Sequence, residues 1–272
     1  MPGRIGVCSW SLRPESPEDL AEKVRACGLG AVQLALTPLA ADDRALDATL
    51  AALAGAGIEV LSGMMATAGE DYSTLETIRR TGGLRPDARW EENRALARAV
   101  ARAARRARLR LVSFHAGFLP EERGSAERAA LLARLRAVAD AFAAEGVAIA
   151  LETGQERADV LLDVLSDLER PAVGVNFDPA NMILYGMGDP TAALDALAAR
   201  VLQVHVKDAR RARVPGTWGS EVPVGEGEVG WPGFADLVRA RRPDVDLLIE
   251  REAGDRRIEE VRAARALLTP TA

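Results

Sequence analysis

Two lysines, two histidines and two cysteines are all that 272 residues contain, set against thirty-three arginines. Aromatic residues are scarce as well, at 4%. No apolar run approaches the length that spans a bilayer, and Met1-Pro2-Gly3-Arg4 runs into a strand-like segment without a charged-then-apolar leader, so a cytoplasmic protein with no membrane partner is expected. Cys8 sits in a strand pattern and Cys27 in a helix pattern, which suits reduced buried thiols rather than a disulfide framework. A net charge of −5 lacks the basic excess that phosphate backbones attract, which disfavours a nucleic-acid partner. Heavy use of Ala and Arg is compositional background and says nothing about function.

What is present is an alternation. Residues 4–11 read as a short strand, and Ser16-Pro17-Glu18-Asp19 supplies a helix start before Leu20, Val24 and Cys27. Gly28 and Gly30 stop that helix. A strand over 31–36 precedes a long Ala/Leu helix ending at Gly55 to Gly57. A third strand, 59–66, leads into about two dozen residues of turn chemistry before an Arg-rich helix from Glu91, and loops of that length are usually functional, often lids. The fourth strand, 109–117, carries His115, and a helix follows from Ser125. Strands over 147–152 and 173–178 end in Glu152 and Asp178, with helix-like segments over 157–169 and 190–200. The seventh, Val201-Leu202-Gln203-Val204-His205-Val206-Lys207-Asp208, ends in an imidazole, an ammonium and a carboxylate. After a second long loop and a helix near Pro232, strand 246–250 runs into Glu250, and a last helix carries Ile258, Val261, Ala264 and Leu267.

Eight strands alternating with eight helices imply a parallel sheet, because parallel strands need crossovers. The length suits one closed (β/α)8 TIM barrel over 1–272, whose functional groups gather at the C-terminal strand ends. A doubly wound open sheet is the alternative, and it would not bring all the strand ends to one mouth. In the barrel, His115, Glu152, Asp178, His205 and Glu250 point into one cavity from five strands. Three carboxylates and an imidazole suit a hard or borderline divalent cation, Mn²⁺, Mg²⁺ or Co²⁺, with positions left for substrate oxygens. The scarcity of thiolates argues against structural zinc.

Five segments, Leu151-Glu152-Thr153, Asn176-Phe177-Asp178-Pro179-Ala180-Asn181, His205-Val206-Lys207-Asp208, Val224-Gly225-Glu226-Gly227-Glu228-Val229 and Ile249-Glu250-Arg251-Glu252, stand in a characteristic order and spacing. With them nearly the whole chain resembles the xylose-isomerase-like barrels, sugar phosphate isomerases and epimerases that include ketose 3-epimerases, inosose dehydratases, hydroxypyruvate isomerases and the AP endonuclease IV group. The resemblance to ketose 3-epimerases implies that Glu152, Asp178, His205 and Glu250 bind one metal ion, with Mn²⁺ foremost and Mg²⁺, Co²⁺ or Zn²⁺ as alternatives. It implies further that Glu152 and Glu250 act as acid and base. Where those epimerases place a substrate-binding His three residues after the metal Asp, this chain has Asn181; their Arg six residues after the metal His corresponds to Arg211. The nuclease branch fits less well, because its trinuclear zinc site needs more than two histidines.

Gly225-Glu226-Gly227-Glu228-Val229-Gly230 matches a dinucleotide-binding pattern letter for letter but lacks a strand directly before it and carries two glutamates, so it reads as loop geometry. The same acidity, with Glu252 and Asp255, makes the usual phosphate region of such barrels a poor anion cradle, although Arg211 and Arg251 could offset it. Trp10, Trp90, Trp218 and Trp231 all fall on the mouth side, where they either stack on a sugar or pack loops. His115, Asn181, Lys207, Arg211 and Trp10 are the candidate substrate contacts; His115 either ligates the metal or orients a carboxylate. The expectation is a metal-dependent isomerase or epimerase of a ketose or related polyol, with proton transfer through an enediolate between Glu152 and Glu250. A lyase or dehydratase on a keto-sugar or inosose would use the same site, and a non-catalytic sugar-binding or partner-supporting barrel is the alternative of another class. A homo-oligomer is left open.

Overall fold

Strands that are buried on both faces need neighbours on both sides, and here the first strand closes against the last. The computed structural model describes residues 3–214 and 216–269. Its strands are β1 (Ile5–Cys8), β2 (Ala31–Ala35), β3 (Glu59–Met64), β4 (Leu111–Phe114), β5 (Ala148–Glu152), β6 (Val173–Phe177), β7 (Val201–Val206), β8 (Asp208–Arg210), β9 (Ser220–Val222) and β10 (Asp246–Ile249). Eight of them form a closed parallel ring in the order β1-β2-β3-β4-β5-β6-β7-β10, in which β1 pairs with both β2 and β10. The open sheet is thereby ruled out. The remaining two, β8 and β9, form a separate antiparallel hairpin.

The helices are α1 (Pro17–Ala26), α2 (Asp43–Gly55), α3 (Leu75–Thr81), α4 (Trp90–Arg106), α5 (Ala126–Ala144), α6 (Ala158–Leu168), α7 (Pro179–Tyr185), α8 (Pro190–Leu197), α9 (Gly233–Arg241) and α10 (Arg257–Leu268). Local chemistry starts several of them: Ser16 Oγ accepts from Asp19 N at 3.1 Å with Pro17 in the first turn, and Ser125 Oγ accepts from Arg128 N at 3.2 Å. None of the described helices is long and apolar enough to cross a membrane.

Each barrel strand divides its residues between two environments by simple alternation. Val112 and Phe114, Ile149 and Leu151, Val175 and Phe177, Val204 and Val206, and Leu247 and Ile249 join the continuous apolar core with the helices. The other parity faces the barrel axis and is largely polar. Ser62 on β3 donates to Gln203 Oε1 on β7, and Gln33 Oε1 on β2 meets His205 Nε2 on β7 at 2.7 Å, contacts that only axis-facing side chains can make. Aliphatic layers usually fill such a barrel. Here hydrogen-bonded Gln33, Ser62, Ser113, Asn176 and Gln203, each at most 1% exposed, do so.

Four expectations change. The first strand stops at Cys8, because Ser9–Leu12 winds into a 3₁₀ turn closed by Arg13 at φ 45°. Strand four ends at Phe114, leaving His115 just beyond it. The seventh strand breaks at Lys207, whose carbonyl accepts from Trp231 Nε1 at 3.0 Å and whose ammonium turns toward carboxylates. Among the described residues ten helices replace the expected eight, since α3 occupies the first long loop and α7 precedes α8. The α7 start was written in the chain: Asp178 Oδ1 accepts from Asn181 N at 2.9 Å, and Pro179 opens the first turn.

Candidate active site

Glu152 ends β5, Asp178 follows β6, His205 lies in β7 and Glu250 follows β10, so four neighbouring strand ends deliver one donor group each. The donor atoms all lie within 4.8 Å of one another, and all four residues are buried. His205 Nδ1 stands 3.4 Å from Glu152 Oε1, 3.3 Å from Glu250 Oε2 and 4.0 Å from Asp178 Oδ2. Neither His205 Nδ1 nor Asp178 Oδ2 has a hydrogen-bond partner. Buried polar atoms are almost always paired, so two orphans aimed at one point mark a place for a cation.

The surrounding bonds orient this set. Gln33 donates from its amide to Gly63 O at 3.2 Å and Ser113 Oγ at 2.9 Å, which turns its Oε1 toward His205 Nε2. That acceptor fixes the ring with Nε2 toward Gln33 and Nδ1 toward the carboxylates. Glu152 accepts from Asn176 Nδ2 at 3.1 Å and Asn181 Nδ2 at 2.9 Å. Gly154, at φ 140°, lets α7 come this close: a Cβ there would lie 2.4 Å from Asn181 Cβ. Glu250 accepts from Trp10 Nε1 at 2.7 Å and Lys207 Nζ at 3.1 Å, and Lys207 also reaches Glu252 at 2.5 Å.

Burial opposes charge on every member, and neighbours decide the outcome. Burial would raise Glu250, but Lys207 and His205 hold it well below the usual carboxylate range. His115 and His205 likewise outweigh burial at Glu152 and lower it. Asp178 goes the other way: burial pushes it well above its ordinary value, and Lys207 does not compensate the additional repulsion of Glu250 and Glu152. Burial disfavours charge on His205, yet the Glu152 carboxylate, with Cys8 and Glu250, holds its pKa well above the usual imidazole value. This donor set fits a divalent ion, whose charge would offset the burial and the carboxylate repulsion that together raise Asp178. Beneath it Cys8 is inert, its thiol pushed up to about 12 by burial.

Above the cluster lies a cavity of about 520 Å³ lined by Trp10, His115, Asn181, Lys207 and Glu250, among others. Of the residues singled out in the sequence, Glu152, Asp178, His205 and Glu250 come together, and His115, Asn181, Lys207 and Trp10 surround them. His115 Nε2 is 3.4 Å from Glu152 Oε1 and lies outside the four-donor group. Arg211 is not brought in: half-exposed and away from the cavity wall, it pairs with Glu228 at 3.0 Å, because the hairpin carries it outward. The tryptophans divide, Trp10 and Trp218 lining the cavity, Trp231 packing on Phe234 and Trp90 lying under Arg134. Sequence reading passed over Gln33, Asn176 and Gln203, although for Asn176 and Gln203 a polar residue in an apolar strand, two places before Asp178 or His205, was a usable signal. It also missed Glu70 and Tyr72 from the first long loop and Tyr185 from α7, which line the cavity and leave no periodic trace.

The family model described as xylose isomerase-like TIM barrel matches residues 21–270. The chain belongs to that family. A xylose isomerase domain protein from Planctomyces limnophilus shares 34% identity over 90% of this chain and 89% of its own, with a TM-score of 0.84. More distant members of the fold include a 3-keto-D-glucoside 4-epimerase from E. coli, at 14% identity over 98% of both chains with a TM-score of 0.74. Another is a probable 3-DHS dehydratase involved in petrobactin synthesis from Bacillus anthracis, at 16% identity over 99% of this chain and 100% of its own, TM-score 0.70. At such identities the likeness carries the fold alone. No curated protein matches the chain.

Proposed function

We propose that this xylose isomerase-like barrel is a metal-dependent isomerase or epimerase of a ketose or related polyol, with Glu152, Asp178, His205 and Glu250 holding one divalent ion, Mn²⁺ foremost. The observation that carries it is the pair of buried carboxylates 3.4 and 3.3 Å from one imidazole nitrogen, each fixed by different donors, Glu250 in the cavity wall and Glu152 directly behind the wall residues His115 and Asn181. When bound, the ion would polarise the substrate carbonyl as a Lewis acid. Glu250, kept ionised by Lys207 and Trp10, takes the proton from the carbon beside the carbonyl, and the electrons of the broken C–H bond move onto the carbonyl oxygen. On the other face Glu152, with His115 beside it, takes up a proton from solvent in the substrate complex and delivers it to the carbon, so the configuration inverts, and the proton held by Glu250 returns to solvent. One glutamate serving two adjacent carbons would give an aldose–ketose isomerisation instead. Reduced, buried cysteines fit a cytoplasmic setting.

A second reading, elimination of water from the same carbanion, is favoured by Lys207. Its ammonium lines the cavity 3.1 Å from Glu250 and could protonate a departing hydroxyl. Incubation in D₂O with ketoses, inososes and 3-keto-glycosides separates these outcomes. The expected result is an epimer or aldose carrying deuterium beside the carbonyl, with Glu152→Gln and Glu250→Gln each slowing turnover by more than the ~10² to 10⁴ of acid–base loss alone. An unsaturated product would select the lyase reading. Absence of turnover across the panel, with metal bound, would favour a non-catalytic sugar-binding barrel.

A further inference from the structure

In (β/α)8 barrels a substrate phosphate is commonly received by backbone N–H groups of the loops after the seventh and eighth strands. In this chain its own carboxylates already take six of those donors. After β7 the glycine-rich loop wraps around buried Asp208, which accepts from Gly225 N (2.9 Å) and Gly227 N (3.0 Å) on Oδ2 and from Ala209 N (2.9 Å) and Val229 N (3.1 Å) on Oδ1. A Cβ on residue 227 would stand 2.0 Å from Asp208 Oδ1, so the second glycine is what permits the wrap. After β10, Glu221 reaches across from β9 and accepts from Glu252 N at 2.9 Å, Ala253 N at 3.1 Å and Arg251 at 2.6 Å. Arg251 spends its remaining face on Glu260, also at 2.6 Å.

Charge along the cavity wall has the same sense. Lys207 is the one Lys or Arg in the wall among the described residues, and Glu250 and Glu252 hold it, while Glu70 and Glu221 add two further carboxylates. The rest of the wall is largely apolar, with Trp10 and Met64 on one side and Leu184, Tyr185 and Trp218 on another. A phosphate dianion entering here would meet like charge and, among the described residues of the wall, no unpaired Lys or Arg, whereas a sugar's C–H face has aromatic rings to lie on.

We propose that the substrate is an uncharged, unphosphorylated sugar or polyol, and that Asp208 and Glu221 act as built-in anions occupying the places a substrate phosphate would take. This rests on the reading of the site as a sugar isomerase or epimerase. Matched pairs, each a ketose and its terminal phosphate ester, test it directly. The expected kcat/KM is lower for the phosphate by ~10²-fold or more, the scale of an uncompensated like-charge contact. A phosphorylated ketose turned over as well as its free form would overturn the proposal while leaving the isomerase reading intact. If neither member of any pair reacts, the isomerase reading fails, and thermal unfolding then decides about the anions. Glu221→Ala vacates the donors of residues 251–253, so inorganic phosphate, compared with chloride at equal ionic strength, should raise the Tm of the variant more than that of the unaltered protein. The difference between the two proteins cancels any general effect of the anion. Glu221→Gln, which keeps the shape and removes the charge, carries the same measurement should the alanine variant not fold. Equal responses to phosphate would overturn the proposal.

Discussion

The first four strands and the last four of this barrel do different work. β5, β6, β7 and β10 lead into Glu152, Asp178, His205 with Lys207, and Glu250, so the four donor groups and the ammonium beside them come from one half of the ring. β2, β3 and β4 contribute Gln33, Ser62 and Ser113, neutral and buried, and the turn after β1 contributes Trp10. The neutral half holds the charged one in place: Gln33 fixes the imidazole of His205, Ser62 bonds to Gln203, and Trp10 donates to Glu250. Buried charges are tolerated only with partners in good geometry, and here part of that geometry is supplied from across the axis rather than from neighbouring strands.

Removing a charged-half donor should have the largest effect. Asp178→Ala and His205→Ala are each expected to reduce metal content from about one ion per chain to none in elemental analysis, with the far-ultraviolet circular dichroism of the barrel retained. Full occupancy in both variants would remove the metal from this site. The comparison sharpens one step away from the ion. Gln33→Leu leaves all four donors in place but frees the His205 ring to turn or change tautomer, and a loss of ~10- to 100-fold in metal affinity is expected. Because the chain has only two histidines, the ¹⁵N spectrum of the histidine-labelled protein shows the tautomer directly. An unchanged tautomer together with unchanged affinity would reduce the neutral half to a filler.

The smallest effect concerns a carboxylate that lacks such support. Glu156, four residues beyond Glu152, is buried with Oε1 unpartnered, and burial, with the nearby Glu152 charge, pushes it up to about 8. Between its ordinary value of 4.5 and about 8 the folded chain binds this proton and the unfolded chain does not, so Glu156 should cost stability as pH rises through that window. Glu156→Gln should therefore flatten the decline in Tm toward pH 8 and leave Tm near pH 4 almost unaltered. Parallel pH profiles for the two proteins would show that Glu156 has a partner in solution.

Reading the sequence served best where information is local. A strand of period two that ends in a carboxylate or imidazole is written in a handful of adjacent letters, which is why Glu152, Asp178, His205 and Glu250 could be named together with the barrel that joins them. The alternation of eight such strands with helices also carried the parallel sheet and its closure. Tertiary structure alone decided which residues serve them. Gln33 and His205 are 172 positions apart, and nothing near either letter announces the other. The long loops behaved in the same way: the pairing of Arg211 with Glu228 and the wrapping of the glycine-rich segment around Asp208 are contacts that no local pattern announces. A hydrogen bond between distant segments depends on how the intervening chain packs, and only the closed ring sets that distance.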